Sequence, residues 1–141
     1  MMVVIDTNVL VSALLSRDGT PAKVISMVLN GTITPCYDYR IICEYRDVLK
    51  RPKFGFSDGE INSLIDWFES NGQSVIAEPV NKKFNDEEDK KFYEVAKHCN
   101  AILVTGNLKH FPKESWIKNP IDFLKKHSLW IHKKIQDYIN F

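Results

Sequence analysis

Short, mainly apolar runs alternate along this chain with longer stretches in which apolar residues return every three or four positions. The runs are Met1 to Ile5, Ile33 to Tyr37, Val75 to Ala77, Ala101 to Val104 and Trp116-Ile117. Each is too short for a helix, and their lengths and bounding polar residues predict buried strands. Between them lie Val9, Leu10, Ala13 and Leu14; Ala22, Ile25, Val28 and Leu29; Ile41, Tyr45, Val48 and Leu49; Ile61, Leu64, Ile65 and Phe68; and Phe92, Val95, Ala96 and Cys99. These sets have helical spacing, so each predicts a helix with one face toward a core.

The punctuation agrees with the periodicity. Arg17-Asp18-Gly19 reads as a turn, Thr20-Pro21 as an N-cap followed by proline at the first helical position, and Gly31 as a stop. Asp38 is placed to cap a helix from about Tyr39 to Lys50, ended by Pro52. Ser57-Asp58-Gly59-Glu60 has the form of a capping box, and Asn71-Gly72 closes that segment. The acids Asp86 to Asp89 suit the positive end of a helix dipole, and a further helix is expected from Pro120 to Lys126. Strands alternating with helices throughout predict an α/β fold, a three-layer α/β/α sandwich around a mainly parallel sheet. Residues 1–128 read as one domain. In residues 129–141, Ile131, Ile135, Tyr138 and Ile139 recur at roughly helical spacing, which predicts a C-terminal helical extension packed on that domain.

Composition narrows the class without naming a ligand. A chain of 141 residues that is 44% hydrophobic and 26% charged has material for one ordinary core. Its formal net charge of +1 selects neither for nor against nucleic acid, because clustering matters more than the sum. Local basic groups occur at Lys50-Arg51-Pro52-Lys53, Lys82-Lys83 and Lys109-His110. Cys36, Cys43 and Cys99 are odd in number and lack paired metal-type spacing, so they read as small core residues in a reducing compartment. The first apolar run stops at Asp6 with no basic stretch before it, too short to cross a membrane, and a cytoplasmic protein with no membrane partner is expected.

The chemistry is carried by acids. Asp6 follows a strand and starts a helix, the position at which an open α/β sheet presents a carboxylate to a ligand. An isolated aspartate there caps a helix and does nothing else. At roughly 100° per residue, Glu44 falls at the border of the arc defined by Ile41, Tyr45, Val48 and Leu49, whereas Asp47 turns toward solvent. Asp89 lies three residues before Phe92 and seven before Ala96, so it continues an apolar face toward the helix start, with Asp86 on the same side. Thr105-Gly106-Asn107 follows the last strongly apolar strand and brings a hydroxyl and an amide oxygen to the same edge. Three convergent carboxylates predict a hard divalent cation.

Asp6-Thr7-Asn8-Val9-Leu10, Glu44-Tyr45-Arg46-Asp47-Val48-Leu49 with Arg51-Pro52-Lys53-Phe54, the Asp86 to Phe92 segment and Leu103-Val104-Thr105-Gly106-Asn107 occur in an order that resembles the PIN-domain nucleases. The likeness is closest to the branch described as toxins of bacterial and archaeal toxin-antitoxin pairs, and it runs to about residue 125. It implies Mg²⁺- or Mn²⁺-dependent endoribonuclease activity on RNA, with Asp6, Glu44 and Asp89 as metal-binding catalytic acids. Asn107 stands where many members carry another acid, an uncharged candidate ligand; Asn8, Thr105 and Lys109 are expected at the substrate. The toxin resemblance further implies a homodimer and an antitoxin whose segment occupies the acidic clefts. The rival expectation, favoured by Asn107, is a catalytically weakened PIN-like module that binds RNA or a protein. A metal-dependent phosphatase is a third, poorer reading, because only one acid sits in the first-strand motif.

Overall fold

The computed structural model describes the backbone of residues 1–140 and the side chains of all of these but 128–135 and 138. Strands β1 (Met2–Ile5), β2 (Thr34–Tyr37), β3 (Gln73–Ser74), β4 (Ile102–Val104) and β5 (Ile117–Lys118) form a sheet in the order β3-β2-β1-β4-β5, with every pairing parallel. Helices α1 (Thr7–Leu15), α2 (Thr20–Leu29), α3 (Tyr39–Leu49), α4 (Asp58–Asn71), α5 (Lys90–Cys99) and α6 (Pro120–Ile139) complete a three-layer α/β/α sandwich. Val3, Val4 and Ile5 are wholly buried at the centre of the sheet. Covering on both faces is why that strand reads as a continuous apolar run, and each such side chain contributes about 1.5–3 kcal/mol relative to exposure.

The strand order positions the site. The chain moves outward from β1 through β2 to β3, then returns to lay β4 on the other flank of β1. A crevice opens beyond the carboxyl ends of the strands where the order reverses, between β1 and β4. Ile5 pairs with Val104 in register, and the Asp6 amide donates to the Val104 carbonyl at 2.9 Å. The two residues that follow these strands, Asp6 and Thr105, are therefore neighbours at the mouth of the crevice.

The local signals for the helices operate as expected in most places. Asp38 accepts from the Ile41 amide at 3.0 Å, and Ser57 accepts from the Glu60 amide at 3.1 Å. The reciprocal half of that capping box is absent, because the Glu60 carboxylate pairs with Arg17 instead. At α2 the cap is Gly19, so Thr20 is the first helical residue and Pro21 the second. The acidic run makes a 3₁₀ turn at Glu87–Asp89, capped by Asp86, before α5 begins.

Three expectations need correction. The third strand is Gln73–Ser74, not Val75 to Ala77; Val75 still donates to the Tyr37 carbonyl at 3.0 Å, but Ile76 beyond it is 94% exposed. This strand is a sheet edge, where few residues pair and an apolar side chain need not be covered. The cysteines are not all core residues: Cys36 is buried and Cys99 half-buried, but Cys43 is exposed on α3. Finally, α6 does not stop at Lys126 but continues through Ile139. The packing expected of residues 129–141 falls mainly on side chains outside the described residues, and Ile139 itself is exposed. Among the described residues no helix is long and apolar enough to cross a membrane.

Candidate active site

Asp6 directly follows β1 and is only 6% exposed, and Thr105 Oγ1 donates to its Oδ2 at 2.7 Å. Thr105 is itself fully buried and accepts from the Asn107 amide at 3.0 Å, so one hydroxyl fixes both the carboxylate and the turn after β4. Asn8, in the first turn of α1, accepts from the Gly106 amide at 3.4 Å and ties that turn to the helix.

Glu44 reaches the same place from α3. The helix is anchored next to it by Tyr45, whose buried hydroxyl donates to the Ile5 carbonyl, one residue before Asp6. Both oxygens of Glu44 are engaged: Thr7 donates to Oε2, and the Lys91 ammonium lies 2.8 Å from Oε1. Lys91 is 5% exposed and also pairs with Glu88 Oε2 at 3.1 Å.

Asp89 closes the group from the 3₁₀ turn before α5. Its Oδ2 is buried and accepts no hydrogen bond, although His110 Nδ1 stands 3.4 Å away. That separation suits an ion pair when the imidazole is protonated. An orphaned buried carboxylate oxygen is uncommon, because leaving such an acceptor unsatisfied costs roughly 1–3 kcal/mol. Asp86 has spent one oxygen on the Glu88 amide at 2.9 Å.

Electrostatics show that the three acids share one environment. Burial pushes the Asp6 carboxyl up to about 6 against the Thr105 hydrogen bond, and the charges of Asp89 and Glu44 push in the same direction. Asp89 is also raised, first by burial and then by Asp86, with His110 opposing. Like charges this near one another disfavour common ionisation. A cation placed among them would remove the conflict.

Asp6, Asn8, Glu44, Asp89 and Asn107 line one cleft of about 370 Å³, together with Thr7, Asp86, His110, Val48 and Phe54. Thr105 stands behind it as a support. Lys109 does not line it; its hollow, about 380 Å³, is a neighbouring one that shares Asn107 and His110 with the acid cleft. Among the described residues no three His, Cys, Asp or Glu side chains lie close enough together to hold an ion as they stand. The donors nonetheless suit a hard cation in kind, and the unpartnered Asp89 oxygen is of the type such an ion would satisfy. Glu44 would have to exchange its Lys91 contact to add a third oxygen.

Lys91 and Thr7 were not apparent as site residues from the sequence. The available signal for Lys91 was its place one turn before the buried Val95, on an arc that also holds the buried Glu94. Glu94 has its own task, bridging Arg40 at 2.8 Å and the Val80 amide at 2.8 Å.

Known proteins add a family to this geometry. The family model for the PIN domain matches residues 2–109. The uncharacterized protein MJ1680 of Methanocaldococcus jannaschii is 35% identical over 109 residues, which are 74% of this chain and 70% of that protein. The matched residues run from β1 through β4 to Lys109 and so contain every acid of the cleft; the chain belongs to the PIN-domain family, whose members are generally nucleases.

Proposed function

We propose that the protein is a metal-dependent endoribonuclease that hydrolyses RNA phosphodiester bonds, with Asp6, Glu44 and Asp89 as its catalytic acids. The observation that carries this is the convergence of three carboxylates from the end of β1, from α3 and from the turn before α5, one of them with a buried oxygen that accepts no hydrogen bond, in one open cleft. Without a counter-charge such a cleft repels phosphate.

Mg²⁺ or Mn²⁺ is the cofactor these oxygens suit, and when bound it supplies a Lewis acid and positive charge against the phosphate. Asp6 and Asp89 would hold it directly, with Glu44 or Asn107 completing the set. Thr105 keeps Asp6 in one orientation, while Thr7 and Lys91 do so for Glu44. Glu44, if it stays outside the ion's direct contacts, would take the proton of an attacking water, while Asp89 Oδ2, which accepts no hydrogen bond in the cleft, is kept for the cation. Asn8 and Asn107 border the cleft as substrate contacts, and Lys109 would meet the RNA backbone from the adjoining hollow.

Cleavage of a short RNA by pure protein with Mg²⁺ or Mn²⁺, abolished by EDTA and by Asp6→Asn, is the expected result. Cleavage that persists in Asp6→Asn, or that never starts with Mn²⁺, would overturn the reading. The Glu44–Lys91 ion pair and the neutral Asn107 favour a second reading, a PIN-like module that binds RNA or a protein without cutting; it predicts RNA binding with no cleavage under any divalent ion.

We further propose that the chain is the toxin of a toxin-antitoxin pair and works as a cytoplasmic homodimer, its partner antitoxin laying a segment across the acids. A scattering mass at twice 16.3 kDa and an adjacent reading frame for a small protein that blocks cleavage are expected. A monomer mass would remove the dimer.

A further inference from the structure

Besides its acids the cleft is lined by the apolar Val11, Val48 and Phe54, and neither the carboxylates nor the turn after β4 account for the aromatic ring among them. After α3 the chain makes a 3₁₀ turn at Pro52–Phe54 and then passes through Gly55 at φ +68°, a conformation that favours glycine. That residue reverses the backbone so that Phe54 and Phe56 lie nearly parallel, their ring centroids 5.6 Å apart and their planes 13° from each other. Phe56 packs against the core, whereas Phe54 lies outside it, half-buried, and lines the cleft that holds Asp6 and Asp89. Lys53 places its ammonium 5.1 Å from the Phe54 centroid. A ring stacked with a second ring, covered by an exposed lysine ammonium and lining a polar cleft is arranged to receive another flat ring once that ammonium moves aside.

We propose that Phe54 is a stacking platform for an unpaired base of a single-stranded nucleic acid, seated beside the phosphodiester that the acids address. The inference rests on the nuclease reading for its substrate and deepens it. A base within a duplex has both faces covered by its neighbours, so a stacking ring at this position selects an unpaired segment over a helix. Phe56 supports the platform, and Lys53, which is exposed, gives up the ring for the adjacent phosphate when the base arrives. Stacking on an aromatic side chain is worth about 1–3 kcal/mol per base and tolerates any sequence. The cleft then reads the backbone through its acids and the single-stranded state through Phe54.

The test is a short single-stranded RNA carrying 2-aminopurine at each position in turn, titrated with intact protein in Ca²⁺ buffer, in parallel with cleavage in Mn²⁺. Quenching at one position is expected with the wild type and with Phe54→Trp. It should be lost in Phe54→Ala and in Phe54→Leu, which keeps apolar bulk without a ring, and affinity should fall roughly 5- to 150-fold. The matching duplex should bind wild type and Phe54→Ala alike. Thermal midpoints of the variants show that they are folded. Cleavage by wild type with binding and quenching unchanged in Phe54→Ala overturns the platform and leaves the nuclease standing. Quenching that depends on Phe54 without any cleavage removes the nuclease and keeps the platform. Absence of both binding and cleavage overturns the two together.

Discussion

Asp6 is held in a place that opposes its charge. Its folded pKa of about 6 lies above the ordinary value of 3.8, so the native state binds this proton more tightly than the unfolded chain. Stability from this group therefore falls as pH rises from about 4 to about 6, and the penalty is fully present above that window. Two units correspond to about 3 kcal/mol. Asp6→Asn keeps an oxygen for the Thr105 hydroxyl and removes the charge. It should stabilise the metal-free protein at pH 7 by up to about 3 kcal/mol, with the gain shrinking toward pH 4 while cleavage is lost. Urea midpoints in EDTA at several pH values measure this, and a variant less stable than wild type at pH 7 would contradict the assignment. Lys91 supplies the complementary case, a buried cation beside Glu44. Lys91→Met should lower stability in EDTA by about 1–3 kcal/mol, because Glu44 and Glu88 lose their partner. It should also enlarge the rise in thermal midpoint caused by Mn²⁺, since a competing cation is gone. A smaller rise than in wild type would mean that Lys91 supports the ion's site instead of competing for it.

Between elements, the junction from α4 to β3 shows what periodicity leaves out. Gly72 donates to the Phe68 carbonyl at 2.8 Å, and a Cβ there would lie 2.5 Å from that carbonyl oxygen and 2.6 Å from the oxygen of Pro35. Gly72→Ala should therefore cost roughly 1–3 kcal/mol by forcing α4 and β2 apart, read as a lower denaturation midpoint. If it is neutral, the close approach is relieved by a shift of the strand. The same junction is where the strand reading moved: with Gly72 wedged against Pro35, pairing begins at once with Gln73 opposite Cys36 and ends before the apolar triplet. Helix starts at Asp38 and Ser57 were legible because a cap is a contact among neighbours in sequence. That Asp6, Glu44 and Asp89 would line one cleft was legible from their combination, a carboxylate at the end of a buried strand with two more on or beside apolar helical arcs, each ordinary by itself. Lys91 was not. Its burial depends on Glu44 from another helix, and either lysine of the pair Lys90-Lys91 after an acidic run looks like any solvated lysine. The aromatic pair at Phe54 and Phe56 was hidden likewise, because only the turn at Gly55 makes residues two apart face each other.

At the scale of the whole molecule, the acids join segments that the chain visits at its start, in its first third and beyond its middle. Asp6 closes the central strand, Glu44 belongs to α3 and Asp89 precedes α5, so an ion gripped by all three would fasten the sheet to two helices. Burial of Asp6 and Asp89, and after it the repulsion from neighbouring acids, weakens the fold at neutral pH, and relief of both by a bound cation adds to the ordinary stabilisation of a native state by its ligand. At a hundredfold excess over the dissociation constant that linkage supplies about 2.7 kcal/mol, a rise in melting temperature on the order of 10 °C for a domain of this size. Wild type in Mn²⁺ should show such a rise at pH 7. The rise should fade below about pH 6, where protons compete for Asp6, and should be small in both Asp6→Asn and Asp89→Asn. Scanning calorimetry of the three proteins with and without Mn²⁺ decides the matter without any RNA present. An equal rise in all three would place the ion elsewhere on the surface, and none in wild type would leave the carboxylates without the cation on which the nuclease depends.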